Sequence, residues 1–170
     1  MRILYDSKQQ MYKDPFGTLS QDQPCTLHLH IPTSVPATHA ECIFTHENGD
    51  YAFHVPMTCN ATRGAYSIFR GDFSISTPGL YFYYFRIYKP DSSFRLFKQG
   101  DQTNMEAGDT WQLTCTPADF TTPDWAKGAT IYQVFPDRFY KSGDCDLTGK
   151  LQPYTVHQRW DEEVSWQPTP

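Results

Sequence analysis

Apolar and polar residues alternate with period two along most of the first 116 positions, the pattern of strands with one face buried. Thr26-Leu-His-Leu-His-Ile31 is the clearest run, placing Leu27, Leu29 and Ile31 on one face and His28 and His30 on the other. It follows a short extended piece, Ile3 to Tyr5, and the Asp14-Pro15-Phe16-Gly17 turn, and Pro32 and Pro36 close it. Glu41 to His46 alternates again, with Cys42 and Phe44 together. Asn48-Gly49 is a strong two-residue hairpin signal, and Tyr51 to Met57 returns with Phe53, Val55 and Met57 on one side. Gly64 to Phe73 and Gly79 to Lys89 read as a further pair, joined through Thr77-Pro78-Gly79. Leu80 to Tyr88 is aromatic on both faces, as expected of a central strand packed on one side and partly covered on the other. Phe94 to Lys98, a polar loop from Gln99 to Asp109, and Trp111 to Cys115 complete the series. Roughly seven or eight short strands at about ten-residue spacing predict an all-β antiparallel sandwich. No helical periodicity competes with this before residue 117.

The pattern changes after Thr116. Pro117 to Pro123 reads as a short, stiff linker, and the linker segment is taken as 117–128. Ile131-Tyr-Gln-Val-Phe135 is an apolar and aromatic run between Gly128 and Pro136. It reads as a buried strand that Pro136 ends, having no N–H to give to a ladder. Asp137 and Arg138 follow at once, and the sequence to Pro170 is loop-like.

Thr-Pro-Asp-Trp-Ala-Lys-Gly (122–128) and Ile-Tyr-Gln-Val-Phe-Pro-Asp-Arg-Phe (131–139) resemble the opening of the catalytic domain in the alpha-amylase superfamily. The branch most similar is that of neopullulanases, cyclomaltodextrinases and maltogenic amylases. Tyr12-Lys-Asp-Pro-Phe-Gly17 resembles the start of that family's N-terminal sandwich, and Trp160 to Pro168 the loop before its second barrel strand. The resemblance implies an immunoglobulin-like sandwich over 1–116 and the truncated start of a (β/α)8 barrel over 129–170. One strand cannot close a barrel, so the second region is expected to be incomplete by itself. Its apolar strand residues are expected to lie exposed, and the segment to be poorly ordered or aggregation-prone.

Composition narrows the function classes. The net charge of −5 comes with no basic run, which argues against nucleic acid, whose binding rests on neutralising phosphates. No stretch of about 18 apolar residues is present to span a membrane, and Met1-Arg-Ile-Leu-Tyr-Asp6 lacks the apolar core of a signal peptide. The five cysteines (25, 42, 59, 115 and 145) show no CxxC spacing. They are read as reduced thiols of a cytoplasmic protein. His28 and His30 are read as the polar face of a strand, with no third ligand at a metal-binding spacing.

Retaining glycosidases need two carboxyl groups about 5 Å apart, which the alpha-amylase family draws from later barrel strands. No such motif occurs here, so the chain is expected to contain no catalytic residue and to be inactive alone. Adjacent Glu162 and Glu163 are read as solvated. The resemblance implies a retaining parent enzyme acting on maltodextrin, cyclomaltodextrin or pullulan, and a homodimer formed through the N-terminal domain. Tyr132, Gln133, Pro136, Asp137, Arg138 and Phe139 carry the structural motif, with Asp137 and Arg138 read as a pair tying down a loop. Tyr132 is also a candidate for the pocket floor. Tyr84, Tyr88 and Trp111 are candidates for glucan contact by stacking, against the blander reading that they fill a core or an interface. No cofactor is expected. Calcium in the parent would need six to eight oxygens, and Asp144 and Asp146 alone are evident. The alternative function is a non-catalytic module for carbohydrate binding or dimerisation.

Overall fold

The computed structural model describes residues 2–135 and, beyond them, positions 139, 143, 146, 148, 159, 161 and 162. It divides into two compact units, Met1–Thr121 and Thr122–Pro170. The first is all-β: β1 (Lys13–Asp14), β2 (Leu19–Ser20), β3 (Cys25–Pro32), β4 (His39–Thr45), β5 (Tyr51–Arg63), β6 (Tyr66–Phe73), β7 (Gly79–Lys89), β8 (Ser92–Gln99), β9 (Gln102–Asn104) and β10 (Trp111–Thr116). A 3-10 turn stands at Asp124–Ala126, in the second unit.

Strand β5 turns a single curled sheet into a sandwich. Its first half pairs with β4, from Tyr51 opposite Thr45 to Met57 opposite Ala40. Its second half pairs with β6, from Thr58 opposite Arg70 to Arg63 opposite Tyr66, with an irregularity between Cys59 and Ala61. One layer therefore runs β1-β3-β6-β5 and the other β5-β4-β7-β10-β2, with β8 and then β9 carried on the far half of β7. Pro56 lies where β5 is an outer strand, a place that tolerates a missing N–H. The layers approach closely where β5 crosses. A Cβ on Gly71 of β6 would stand 2.9 Å from both Met57 Cγ and Val55 Cγ1.

Alternation fills the space between the layers. Leu27, Leu29 and Ile31 of β3 face Cys42 and Phe44 of β4 and Tyr81, Tyr83, Phe85 and Ile87 of β7, all buried in one core. The intervening His28, His30, Phe82, Tyr84, Arg86 and Tyr88 are half-buried. The N-terminal residues close one side: Leu4 bridges His30 of β3, Thr103 of β9 donates from its hydroxyl to the Ile3 carbonyl, and Tyr5 shares a 2.8 Å hydroxyl bond with Tyr83.

The Asn48-Gly49 hairpin forms as expected, with Gly49 at φ +86° and Asn48 Oδ1 accepting from the Asp50 N–H at 3.0 Å. Two expectations are corrected. β6 does not pair with β7: its edges are taken by β3 and β5, while β7 bonds β4, β8 and β10. The connection from Phe73 to Gly79 thus crosses between layers, because β5 reaches β6 first through the tight Gly64 turn. The polar loop Gln99–Asp109 is also not wholly a loop, since it contains β9 and the buried Thr103.

In the second unit, Ile131–Phe135 forms no strand and is exposed, with Ile131 at 91% and Tyr132 at 76%. The strand is corrected, while the exposure is the one expected of a barrel strand without its neighbours, and both have a plain reason. A barrel strand is bonded on both edges and covered on both faces, and no described strand pairs with this run.

Candidate functional site

The outer face of the β4–β7–β8 layer gathers the aromatic candidates. The register sets His39 opposite Tyr88, Glu41 opposite Arg86 and Ile43 opposite Tyr84, while β8 brings Arg95 opposite Arg86. Tyr88 stacks on His39 with ring centres 4.2 Å apart and planes 9° from parallel, and its hydroxyl donates to Glu41 Oε2 at 2.7 Å. Tyr84 stacks on Phe97 at 5.8 Å, and the Arg95 guanidinium lies 5.4 Å from the centre of the same ring. Interaction with Tyr88 is the main cause holding Arg86 more firmly protonated than an ordinary arginine. The result is a face of flat rings interleaved with a carboxylate and two guanidinium groups. It suits neutral hydroxyl-bearing ligands by stacking and hydrogen bonding.

Trp111 is not part of it. Its ring is 3% exposed and packs on Tyr5, Tyr83 and Phe85 at 5.1, 5.8 and 5.3 Å. An indole so enclosed has no face to offer a sugar, so its candidacy as a contact is corrected to core. Tyr132 and Gln133 are exposed on the irregular 131–135 segment, and Phe139 is exposed too. Pro136, Asp137, Arg138, Asp144, Cys145, Trp160, Glu163 and Trp166 lie outside the described residues. Asp146 accepts from the Thr148 N–H at 2.9 Å, and hydrogen bonding by the Thr148 side chain first, and by that N–H second, lowers its pKa. Among the described residues no group of three or more His, Cys, Asp and Glu side chains is placed to hold a metal.

The edge strand β10 borders a second feature. Leu19 and Ser20 of β2 run parallel to Cys115 and Thr116, and the chain preceding them diverges from β10 over a cavity of about 390 Å³. The turn that carries it is held by Lys13. Its ammonium, 2% exposed as a residue, donates to the carbonyls of Pro15 at 2.8 Å and Gly17 at 2.7 Å. Burial lowers the Lys13 pKa.

His28 and His30 occupy the outer face of the opposite layer. His30 lies against Tyr12 at 4.9 Å and Tyr66 at 6.4 Å, and His28 Nδ1 is buried without a hydrogen-bond partner. Burial is the main cause lowering both pKa values, reinforced at His28 by Arg70 and at His30 by His28. The thiols of Cys25, Cys42 and Cys115 are buried and that of Cys59 is exposed, all of them free. Burial pushes Cys25 up to about 11 and raises Cys42 and Cys115 as well, so these three are packing groups rather than nucleophiles.

Sequence reasoning found Tyr84 and Tyr88 but missed His39, Glu41, Arg86, Arg95, Phe97 and the bonds of Lys13. The missing information was pairing. His39 and Glu41 stand at alternate positions, and only the β4–β7 register brings them to the tyrosines.

No protein-family model matches the chain. It is 28% identical over 175 aligned residues to an amylopullulanase of Thermoanaerobacterium thermosulfurigenes, covering 94% of this chain and 9% of that protein. It is 27% identical to an amylopullulanase of Thermoanaerobacterium saccharolyticum and 25% identical to one of Thermoanaerobacter thermohydrosulfuricus, again over 94% of this chain. The chain thus spans between 9% and 13% of the length of these curated relatives. Among solved structures, a cyclomaltodextrinase matches at 15% identity and a TM-score of 0.49, over 91% of this chain and 25% of that one. Among the described residues no helix is long and apolar enough to cross a membrane.

Proposed function

We propose a function on the premise that the chain belongs to the alpha-amylase family of glycoside hydrolases and carries a β-sandwich of that family's N-terminal type. The protein of which it forms part is a retaining α-glucan hydrolase acting on maltodextrin, cyclomaltodextrin or pullulan. The observation that carries this is similarity to three amylopullulanases along 94% of the chain. The motif at 131–139 supports it.

In this reading the chain supplies no catalytic carboxylate. Elsewhere in the parent, one carboxylate attacks the anomeric carbon, while a carboxylic acid about 5 Å away protonates the departing glycosidic oxygen. Water then hydrolyses the glycosyl-enzyme, with the former acid acting as base, and the configuration is retained. Residues 1–116 form the sandwich, 117–128 the linker and 129–170 the start of the barrel, with Asp137 and Arg138 tying down the loop after Ile131–Phe135. The parent is cytoplasmic and dimerises through the sandwich. The test is hydrolysis of pullulan and maltoheptaose by the full-length protein, with the anomeric form of the first product followed by NMR. Retention supports the reading, and inversion or no turnover defeats it. The same assay on residues 1–170 is expected to show nothing.

A second reading, a binding module without chemistry, is favoured by the Tyr84–Tyr88 face with its paired rings and exposed polar groups. Loss of maltoheptaose binding in Tyr88→Ala, with the fold intact by circular dichroism, would support it. Unchanged affinity would count against it.

A further inference from the structure

Two arginines stand directly opposite each other on the outer face of β7 and β8. The register pairs Arg86 with Arg95, which sets the side-chain origins about 4.5–5.5 Å apart and, for like charges, destabilises a sheet. No ion pair offsets this: among the described residues neither guanidinium has a carboxylate within ion-pair distance. Glu41, opposite Arg86 on the other edge of β7, acts on it only at longer range, and its Oε2 accepts from the Tyr88 hydroxyl. Arg70 is the contrast. It too is exposed on a strand of the sandwich, and Asp72 meets it at 2.9 Å.

The neighbours hold the two groups in place without neutralising them. Arg95 lies 5.4 Å from the centre of the Tyr84 ring, which itself stacks on Phe97. Arg86 interacts chiefly with Tyr88. A guanidinium carries five N–H donors, and neither a ring face nor one phenol oxygen satisfies a fork of that size. Arg95 and Ser93 are exposed, and Ser93 lies opposite Tyr88 on the same strand pair, adding a hydroxyl at the open side. A ligand here meets cations already positioned, so little ordering remains for it to do.

This demand differs from that of the rings. A neutral ligand leaves both charges as they are, and a single carboxylate balances one. A doubly charged tetrahedral oxyanion balances both, and its oxygens accept from the guanidinium forks in pairs. Charge sets the size as well. The chain carries a net charge of −5, so the rest of the surface repels a large acidic macromolecule, whereas a small anion need only meet the two arginines.

We propose that Arg86 and Arg95, with Ser93 beside them, bind a doubly charged oxyanion of the phosphate class, as the free ion or as the end group of a small monoester. The site is independent of the hydrolase reading and of the sugar reading of Tyr84 and Tyr88.

The test is titration of residues 1–170 with inorganic phosphate near pH 8, against sodium chloride at equal ionic strength, read by NMR and by urea denaturation. Phosphate is expected to shift the Arg86, Ser93 and Arg95 amides saturably and to raise the denaturation midpoint, and chloride to do neither. Arg86→Gln and Arg95→Gln are each expected to weaken phosphate binding about tenfold. Arg70→Gln, which removes a cation already paired, is expected to bind as the parent chain does. Without phosphate Arg95→Gln should be neutral or slightly stabilising, because one of two opposed like charges is gone. A fall in stability of the same size with and without phosphate would make Arg95 a packing group for Tyr84 and overturn the site. So would phosphate shifts reproduced by chloride, or equal weakening in Arg70→Gln. Acetate binding as tightly as phosphate overturns the double charge, and a glutamate-rich peptide binding more tightly overturns the small ligand. Methyl phosphate separates the two sources: tighter binding than phosphate sustains the monoester, and equal or weaker binding sustains the free ion.

Discussion

Leu80–Tyr88 and Ile131–Phe135 are built from the same kinds of residue and end in opposite states. In β7 the inward Tyr81, Tyr83, Phe85 and Ile87 are buried, and the outward Tyr84 and Tyr88 are half-covered by Phe97 and His39. In the second unit Ile131, Tyr132, Val134 and Phe135 are all exposed, in an irregular segment. The distinction is the company each keeps. β7 is bonded by β4 along one edge and by β10 and β8 along the other, whereas no described strand bonds the later run. Strand propensity is a statement about fitting a pleated, half-buried surface, and it is realised only where that surface exists.

Mutation sharpens the contrast most at the tryptophans. Trp111→Ala, within the Tyr5–Tyr83–Phe85 cluster, is expected to cost about 3–5 kcal/mol. Trp125→Ala, at 83% exposure, is expected to stay within about 0.5 kcal/mol. Urea unfolding followed by circular dichroism measures both, and equal effects would break the comparison.

The same logic extends to Ile131. Ile131→Ser should change the stability of residues 1–170 by less than about 0.5 kcal/mol. In the full-length protein the proposed barrel would surround the residue, and the cost should rise to about 2–4 kcal/mol. An equally small effect in both would argue that the segment gains no neighbours.

Gly71→Ala tests the crossing of β5. The added Cβ would meet Met57, Val55 and the Pro56 carbonyl at 2.9–3.0 Å, which is expected to cost about 1–3 kcal/mol. Lys13→Met should cost a comparable or smaller amount, about 1–3 kcal/mol, by stripping the Pro15 and Gly17 carbonyls of their donor. Chemical denaturation of each variant gives the values, and a neutral Lys13→Met would mean that water replaces the ammonium.

The smallest expected effect is that of pH. His28 and His30 have folded-state pKa values below the ordinary 6.5. As pH falls below 6.5 the unfolded chain takes up protons before the folded one does, so stability declines through that window and levels off below the folded values. The double variant His28→Gln, His30→Gln should flatten this slope in denaturation midpoints taken from pH 7 to pH 5.

Much of the sandwich is legible in the chain because alternation and turn chemistry are local. Leu27, Leu29 and Ile31 had to share a face, and Asn48-Gly49 had to turn. What locality cannot supply is the choice of partner. The supposed pairing of Gly64–Phe73 with Gly79–Lys89 failed because β5, one tight turn before β6, claims it after leaving β4. Trp111 could be read as a sugar contact or as core, and only its pairing opposite Tyr83 placed it in the core. His39 and Glu41 gave no sign of belonging with Tyr88.

The sequence by itself determined which residues would point together along each strand, because side chains alternate with the backbone whatever lies beside it. Only the tertiary structure decided which edges bond and which faces are covered, because hydrogen bonds between strands and burial between layers join residues far apart in the chain. The buried ammonium of Lys13, the stacked Tyr88 and the uncovered Ile131 are all products of that second decision.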